Sequence, residues 1–405
     1  MKTIELGNNL VLLHDNVASK HALIDISFNF GSAFESPKDN GIAHYIEHLV
    51  FTGTKDMPRF AVTNKLESYG ALVNAYTSKD RTNYFFESPS KYFFNSVDVL
   101  MTCLDRPFFD SKEIETERLI VLNEIRESLD NPQRALFLDF YAGAFNNSLK
   151  MPVAGTEESV KKIKRQSFLS YFKKFYSPNN AIGVVLGKLN KDALVDSFSV
   201  FKERKKPNTR LKENKFVPGK HEQYKPNLKQ CHLILGFPAM NAKDKDVFSF
   251  ILSNGVLSTG LGSRLKKEVR EKRGLAYQID AFFDYSNNYG LFGVYAACAP
   301  KNKEKVEEII LKEFDKLSDK EVSKAELAVA KRKAEAEMIM ASSTPLNKAE
   351  LLINCHRFGW GEPEGFMDKI NNVQGKDIKT VAKKYLSLEP LVIKMLPETK
   401  DSVKK

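Results

Sequence analysis

The chain has 405 residues, 42% of them hydrophobic and 28% charged, with a formal net charge of +11. These are globular proportions, the length exceeds one ordinary core, and no apolar run approaches the ~18 residues of a membrane span, which speaks against a disordered or membrane-spanning chain. The lysines are spread in short runs such as KERKKP (202–207), without a basic stripe interleaved with aromatics, so no nucleic-acid partner is expected.

The first sixteen residues, MKTIELGNNLVLLHDN, form two short strands around a GNN turn and have no greasy core of a signal peptide. Ile24, Ile26, Phe28 and Phe30 alternate with Asp25, Ser27 and Asn29, the pattern of a half-buried strand. Helices are expected at about 41–52, 58–69, 91–103, 111–129 and 165–176, the fourth opened by Asp110 and Glu113 in a capping-box-like start. Strands follow at 181–187, 232–237 and 289–299. Residues 203–227 are charged, hold three prolines and lack periodicity, a linker composition. The four cysteines lie far apart, with no C-x-x-C, so neither a disulfide scaffold nor a cysteine zinc site is indicated. A cytoplasmic protein with no membrane partner is the expectation.

The chain also repeats itself. Phe172-Lys173-Lys174-Phe175 matches Ala382-Lys383-Lys384-Tyr385, Asp110 matches Asp319 and Pro89 matches Pro300, all at an offset of about 210. Two homologous domains from a duplication are expected: residues 1–205, a linker at 206–226, and residues 227–405. Strands and helices do not alternate strictly, so each domain is expected to be α+β, a largely antiparallel sheet packed with helices.

The stretch HYIEH (44–48) holds two of the seven histidines. Composition alone would give such a pattern roughly 0.015 times in this chain, so it asks for a structural reason. On a helix, His44 and His48 lie one turn apart on one face, able to meet one ion, with Glu47 beside them but rotated off. An acid so placed can take a proton from a water polarised by the ion, an inverted zincin arrangement. A catalytic zinc site wants a third protein ligand. The helix at 111–129 offers Glu117 and Glu124, two turns apart on a partly inward face, and geometry leaves them co-equal. Glu115 and Glu127 have the look of solvated charges. His14, His21, His221, His232 and His356 have no partner spacing and are assigned structural roles.

HYIEHLVFTGT (44–54) resembles the zinc motif of the pitrilysin family of metallopeptidases, and the resemblance covers essentially the whole chain. It implies one zinc ion per chain, held by His44, His48 and Glu124, with Glu47 as catalytic base and Glu117 as a supporting acid. GALVNAYTSKDRTNYFF (70–86) is similar to the family's substrate-binding edge strand. The resemblance therefore implies that Asn74, Ala75 and Tyr76 hold a peptide by strand addition. SRLKKEVREKRGLAY (263–277) resembles the second-domain signature, which casts Arg270 and Tyr277 as groups that stabilise an oxyanion. In the repeat, Lys333 stands opposite Glu124, and NGVLS (254–258) stands opposite the histidines, so the second half is not expected to hold zinc.

The implied activity is that of a zinc metalloendopeptidase or oligopeptidase acting on short or unfolded peptides inside a clamshell chamber. The implied assembly is a homodimer in which Arg270 and Tyr277 complete the zinc site of the other subunit, or a heterodimer with a related subunit. The alternative is a non-catalytic structural or substrate-presenting subunit of a processing-peptidase-like pair. A metal assay separates the two.

Overall fold

A computed structural model of the chain describes residues 1–211 and 213–398. Lys212 of the expected linker and residues 399–405 of the second expected domain lie outside the described residues. The fold is α+β, in two compact units. The first comprises Met1–Ser128, Met151–Lys212 and Ser342–Asn354; the second comprises Leu129–Lys150, Glu213–Ala341 and Cys355–Lys405. The units are therefore not the two contiguous halves: each sequence half gives a segment to the unit built mainly from the other. Among the described residues no helix is long and apolar enough to cross a membrane.

The sheet of the first unit contains β1 (Lys2–Glu5), β2 (Val11–Asp15), β3 (His21–Phe28), β4 (Leu72–Thr77), β5 (Thr82–Pro89) and β6 (Ala181–Leu186). Their order is β1-β2-β6-β3-β5-β4, with β2 and β6 parallel and the other neighbours antiparallel. Ile24, Ile26 and Phe28 of β3 face the main core with helices α1 (Ile42–Val50), α2 (Arg59–Ser68), α3 (Phe93–Asp105) and α4 (Ser111–Asp130). Each such buried side chain contributes about 1.5–3 kcal/mol.

The opposite face of β3 is not exposed, although the alternation read as a half-buried strand: Asp25 and Ser27 are fully buried. The start of the helix Pro345–Phe358, from the second sequence half, packs Ala349, Leu352 and Ile353 on Leu13, Leu23 and Val184. Asn83 donates to both oxygens of Asp25, at 2.9 and 3.1 Å, and accepts from Ser27 Oγ at 3.0 Å. The polar stripe is thus paired internally, as buried polar groups must be.

The second unit holds β7 (Gly219–Lys225), β8 (Cys231–Pro238), β9 (Ala276–Tyr285), β10 (Gly290–Cys298) and β11 (Leu391–Pro397), in the order β7-β11-β8-β10-β9. Only β7 and β11 are parallel. With β2 matched to β7 and β6 to β11, this repeats the first sheet without its β1. The stretch expected as a linker thus contains a strand, one whose polar sequence, GKHEQYK, carries no apolar alternation. It sits at the sheet edge, where one neighbour and solvent suffice. Helix α5 (Pro132–Ala144), from the first sequence half, packs in this unit, and Gly236 of β8 makes the room: a Cβ there would lie 2.3 Å from the Phe140 ring.

Candidate metal centre

Helix α1 carries the two histidines, and its start is fixed by a buried acid. Glu35 Oε1 accepts from the Ala43 amide, and Oε2 accepts from the Gly41 amide and Asn40 Nδ2, all at 2.8 Å. A carboxyl group at a helix N-terminus satisfies otherwise orphaned N–H groups. Burial nonetheless pushes the Glu35 carboxyl up to about 8, against those hydrogen bonds. Gly41 is required at the entry: its φ is +96°, and a Cβ would lie 2.6 Å from the Ala154 carbonyl oxygen. Ile42, Ala43, Tyr45, Ile46, Leu49 and Val50 are buried, which leaves His44, Glu47 and His48 as the half-buried stripe.

Helix α4 supplies the acids. Tyr45 of α1 donates its hydroxyl to the Ile114 carbonyl and ties the two helices together. His44 Nε2 and His48 Nε2 lie 3.5 and 3.6 Å from the same oxygen, Glu124 Oε2. The three ligand atoms lie within 4.8 Å of one another. On its other nitrogen, His48 Nδ1 bonds Glu117 Oε2 at 2.9 Å, which turns Nε2 toward the cluster. Glu117 is itself held by the Arg59 guanidinium from α2, whose Nε lies 2.7 Å from Glu113 Oε2. Geometry thus separates the two acids left co-equal by spacing: Glu124 meets both histidines, and Glu117 lies behind one of them.

The charges are consistent with a site that wants a cation. Burial, then the His48 charge, lowers the His44 imidazole to about 4, so it is neutral and free to donate a lone pair. His48 is pushed up to about 10: burial opposes the charge, but Glu117 and Glu124 outweigh it. Hydrogen bonding to His48 lowers Glu124, and the bonds to His48 and Arg59 lower Glu117 although burial opposes them. The acids therefore draw positive charge to the point between the ring nitrogens. Two imidazoles and one carboxylate suit zinc.

Glu47 is not among the three converging groups. It accepts from Thr77 Oγ1 at 2.6 Å, and burial raises its carboxyl although that bond lowers it. Glu47 and His48 form one end of a cleft of about 400 Å³ lined also by Phe51, Val62, Leu66, Asn74 and Ala75. Asn74 and Ala75 belong to β4, the outermost strand of its sheet, so the edge expected to receive a peptide borders the candidate centre. Tyr76 differs: its hydroxyl donates to Glu350 instead.

Arg270 and Tyr277 lie in the second unit, apart from the unit of the histidines. Arg270 sits in a π-helical turn, Lys266–Glu271, with its guanidinium carbon 5.6 Å from the Tyr277 ring centroid, and Tyr277 is 80% exposed. All four cysteines are free and buried. Sequence reasoning missed Thr77 and Arg59. Strand alternation could have found Thr77, two residues beyond Ala75 and so on its face; nothing in the local sequence marks Arg59.

Two imidazoles meeting a carboxylate beside a separate acid, on a duplicated α+β fold, form a donor set that suits zinc. The chain belongs to the insulinase family, peptidase family M16: residues 10–157 match that family, and residues 162–334 match its domain described as the peptidase M16 inactive domain. It is 28% identical to an uncharacterized zinc protease of Rickettsia felis, over 95% of this chain and 94% of that one. It is 25% identical to the mitochondrial-processing peptidase subunit beta of Bos taurus, over 94% and 81%. The fold matches a protease from Helicobacter pylori with a TM-score of 0.90 at 21% identity, covering 98% of this chain and 99% of that one.

Proposed function

We propose that the protein is a zinc-dependent endopeptidase or oligopeptidase acting on short or unfolded peptides. The observation that carries this reading is the convergence of His44 Nε2 and His48 Nε2 on Glu124, with Glu47, held by Thr77, lining the adjoining cleft beside His48. His44, His48 and Glu124 would hold one ion per chain. Zinc supplies Lewis acidity toward a peptide carbonyl and acidifies water near it. Glu47 takes a proton from the attacking water and passes it to the leaving amine. Glu117 orients His48 through Nδ1, and Thr77 orients the Glu47 carboxylate. The peptide adds to β4 beside Asn74 and Ala75, held by backbone bonds and so with tolerance of sequence. Arg270 and Tyr277 bind the oxyanion across a homodimer interface that closes a chamber in the cytoplasm.

The test is digestion of a mixed peptide library by the purified protein, with mass-spectrometric readout, with and without chelator. Chelator-sensitive cleavage supports the reading, and no cleavage by zinc-loaded protein contradicts it. The likeness to a mitochondrial-processing peptidase subunit motivates one second reading, a non-catalytic subunit paired with a related chain. That reading is supported if activity appears only when such a chain is added.

Mixing two dead chains tests the homodimer. One carries Glu47→Gln; the other carries Arg270→Ala with Tyr277→Phe. Recovery of activity on subunit exchange supports shared sites, and exchange without recovery rejects them.

A further inference from the structure

Strand β4 has a neighbour on one side only, β5. Its position must therefore be set by what lies above and below it. On the cleft side Thr77 donates to Glu47. On the opposite side, one residue earlier, the Tyr76 hydroxyl donates to Glu350. The Arg81 guanidinium, from the turn that joins β4 to β5, donates to the same carboxylate and to Asn354 Oδ1 at 2.8 Å. Arg81 also sits 5.7 Å from the Tyr76 ring centroid. Glu350 and Asn354 stand one turn apart on the helix Pro345–Phe358, which Lys348 ties to Asp15 at 2.5 Å and Leu352 and Ile353 anchor in apolar contact.

Consecutive strand residues point to opposite faces, so a slide or roll of β4 moves Tyr76 and Thr77 together. Arg81 is 14% exposed at its side chain, and a guanidinium so buried is costly without its partner. The clamp therefore has one arrangement rather than several. We infer that Glu350 is a positioning residue for the substrate. Gripping Tyr76 and Arg81 from behind, it fixes the pitch of β4, and with it both the edge that receives the peptide and the Thr77 hydroxyl that orients Glu47. This rests on the reading that peptides add to β4. Glu350 lies far along the chain from every motif residue, and no local pattern marks it.

The experiment measures peptide binding in the Glu47→Gln background, where turnover is expected to be lowered by about 10²–10⁴-fold and so slow beside binding. The probe is a fluorescently labelled, extended peptide long enough to pair with all of β4. Tyr76→Phe removes one hydroxyl and keeps the ring; Glu350→Gln weakens both arms of the clamp. Each is expected to raise Kd by about tenfold, to leave zinc content unchanged, and to speed hydrogen exchange of β4 amides. Tyr76→Phe is expected to lower the melting temperature by a few degrees at most, the worth of one hydrogen bond. Binding by both variants within twofold of the parent overturns the proposal. So does a lowered melting temperature with unchanged binding, the signature of a merely structural role. A Glu47→Gln parent that loads zinc yet does not bind the peptide overturns strand addition itself, a result distinct from loss in the clamp variants alone.

Discussion

The two units present corresponding helix pairs with opposite chemistry between them. In the first, α1 and α4 bring His44, His48 and Glu124 together, and Arg59 holds Glu117 behind them. In the second, the helices Val247–Ser258 and Lys324–Ala341 carry Asn254 and Ser258 at the repeat positions of the histidines, Leu257 at that of Glu47 and Lys333 at that of Glu124. The supporting pair survives: Arg264 bonds Glu326 at 2.9 and 3.2 Å, as Arg59 bonds Glu117. Arg264 lowers the Glu326 carboxyl, just as Glu117 is lowered. The Lys333 ammonium donates to the Thr259 carbonyl at the end of the first helix of the pair. One unit brings two imidazoles and a carboxylate together; the other has a lysine ammonium at the carboxylate's repeat position. The acid–arginine brace is thus common to both units, and the three side chains in front of it are what differ.

The largest effect that sharpens this contrast is Glu124→Gln. Loss of the carboxylate that meets both imidazoles is expected to weaken zinc binding by more than about 100-fold, beyond the 10–100-fold typical of a supporting group such as Glu117. Equilibrium dialysis against a competing chelator reads both variants. Full zinc in Glu124→Gln with loss in Glu117→Gln would reverse the assignment.

A second contrast lies on the outer faces of the two sheets. Asp25 of β3 is fully buried, while the corresponding face of β8, the one α5 packs on, carries Ile234 and Gly236 and no acid. Burial raises Asp25 from 3.8 to about 7, against the Asn83 hydrogen bonds. Between pH 4 and 7 the unfolded chain loses this proton and the folded one keeps it, so stability present at pH 4 is lost as pH rises through 7. Asp25→Asn removes that slope. It is expected to match the wild type near pH 4 and to exceed it by on the order of 2–4 kcal/mol at pH 8. Denaturant unfolding at the two pH values checks it; parallel curves for the two proteins would contradict it.

The smallest effect belongs to the second unit. Lys333→Met is expected to cost about 1 kcal/mol, the worth of one hydrogen bond, and to leave zinc stoichiometry and peptide cleavage unchanged. A fall in zinc per chain on this substitution would break the comparison.

Much of this was legible in the sequence, for physical reasons that also mark where legibility stops. The helices carrying His44 and Glu124, nine and twenty residues, lie within two residues of expectation because their apolar periodicity is clear. Asp110 does cap the second, accepting from the Lys112 amide at 2.8 Å. The spacing in HYIEH put both rings on one stripe because helix geometry admits nothing else. Spacing could not choose between Glu117 and Glu124, because both lie on one face and only tertiary packing decides which one meets the rings. The exchange of α5 and the helix at 345–354 between units was invisible for a related reason. An apolar face states that it is buried, not against which sheet. The strand at Gly219–Lys225 was hidden because edge pairing uses backbone groups, which leave little mark on composition.

The most direct test sets zinc content beside turnover in Glu47→Gln. Glu47 touches Thr77 and stands next to His48 in sequence but is not one of the three converging groups. The account predicts about one zinc per chain, as in the wild type, with peptide hydrolysis lowered by about 10²–10⁴-fold. Normal turnover, or loss of the zinc together with the activity, would contradict it.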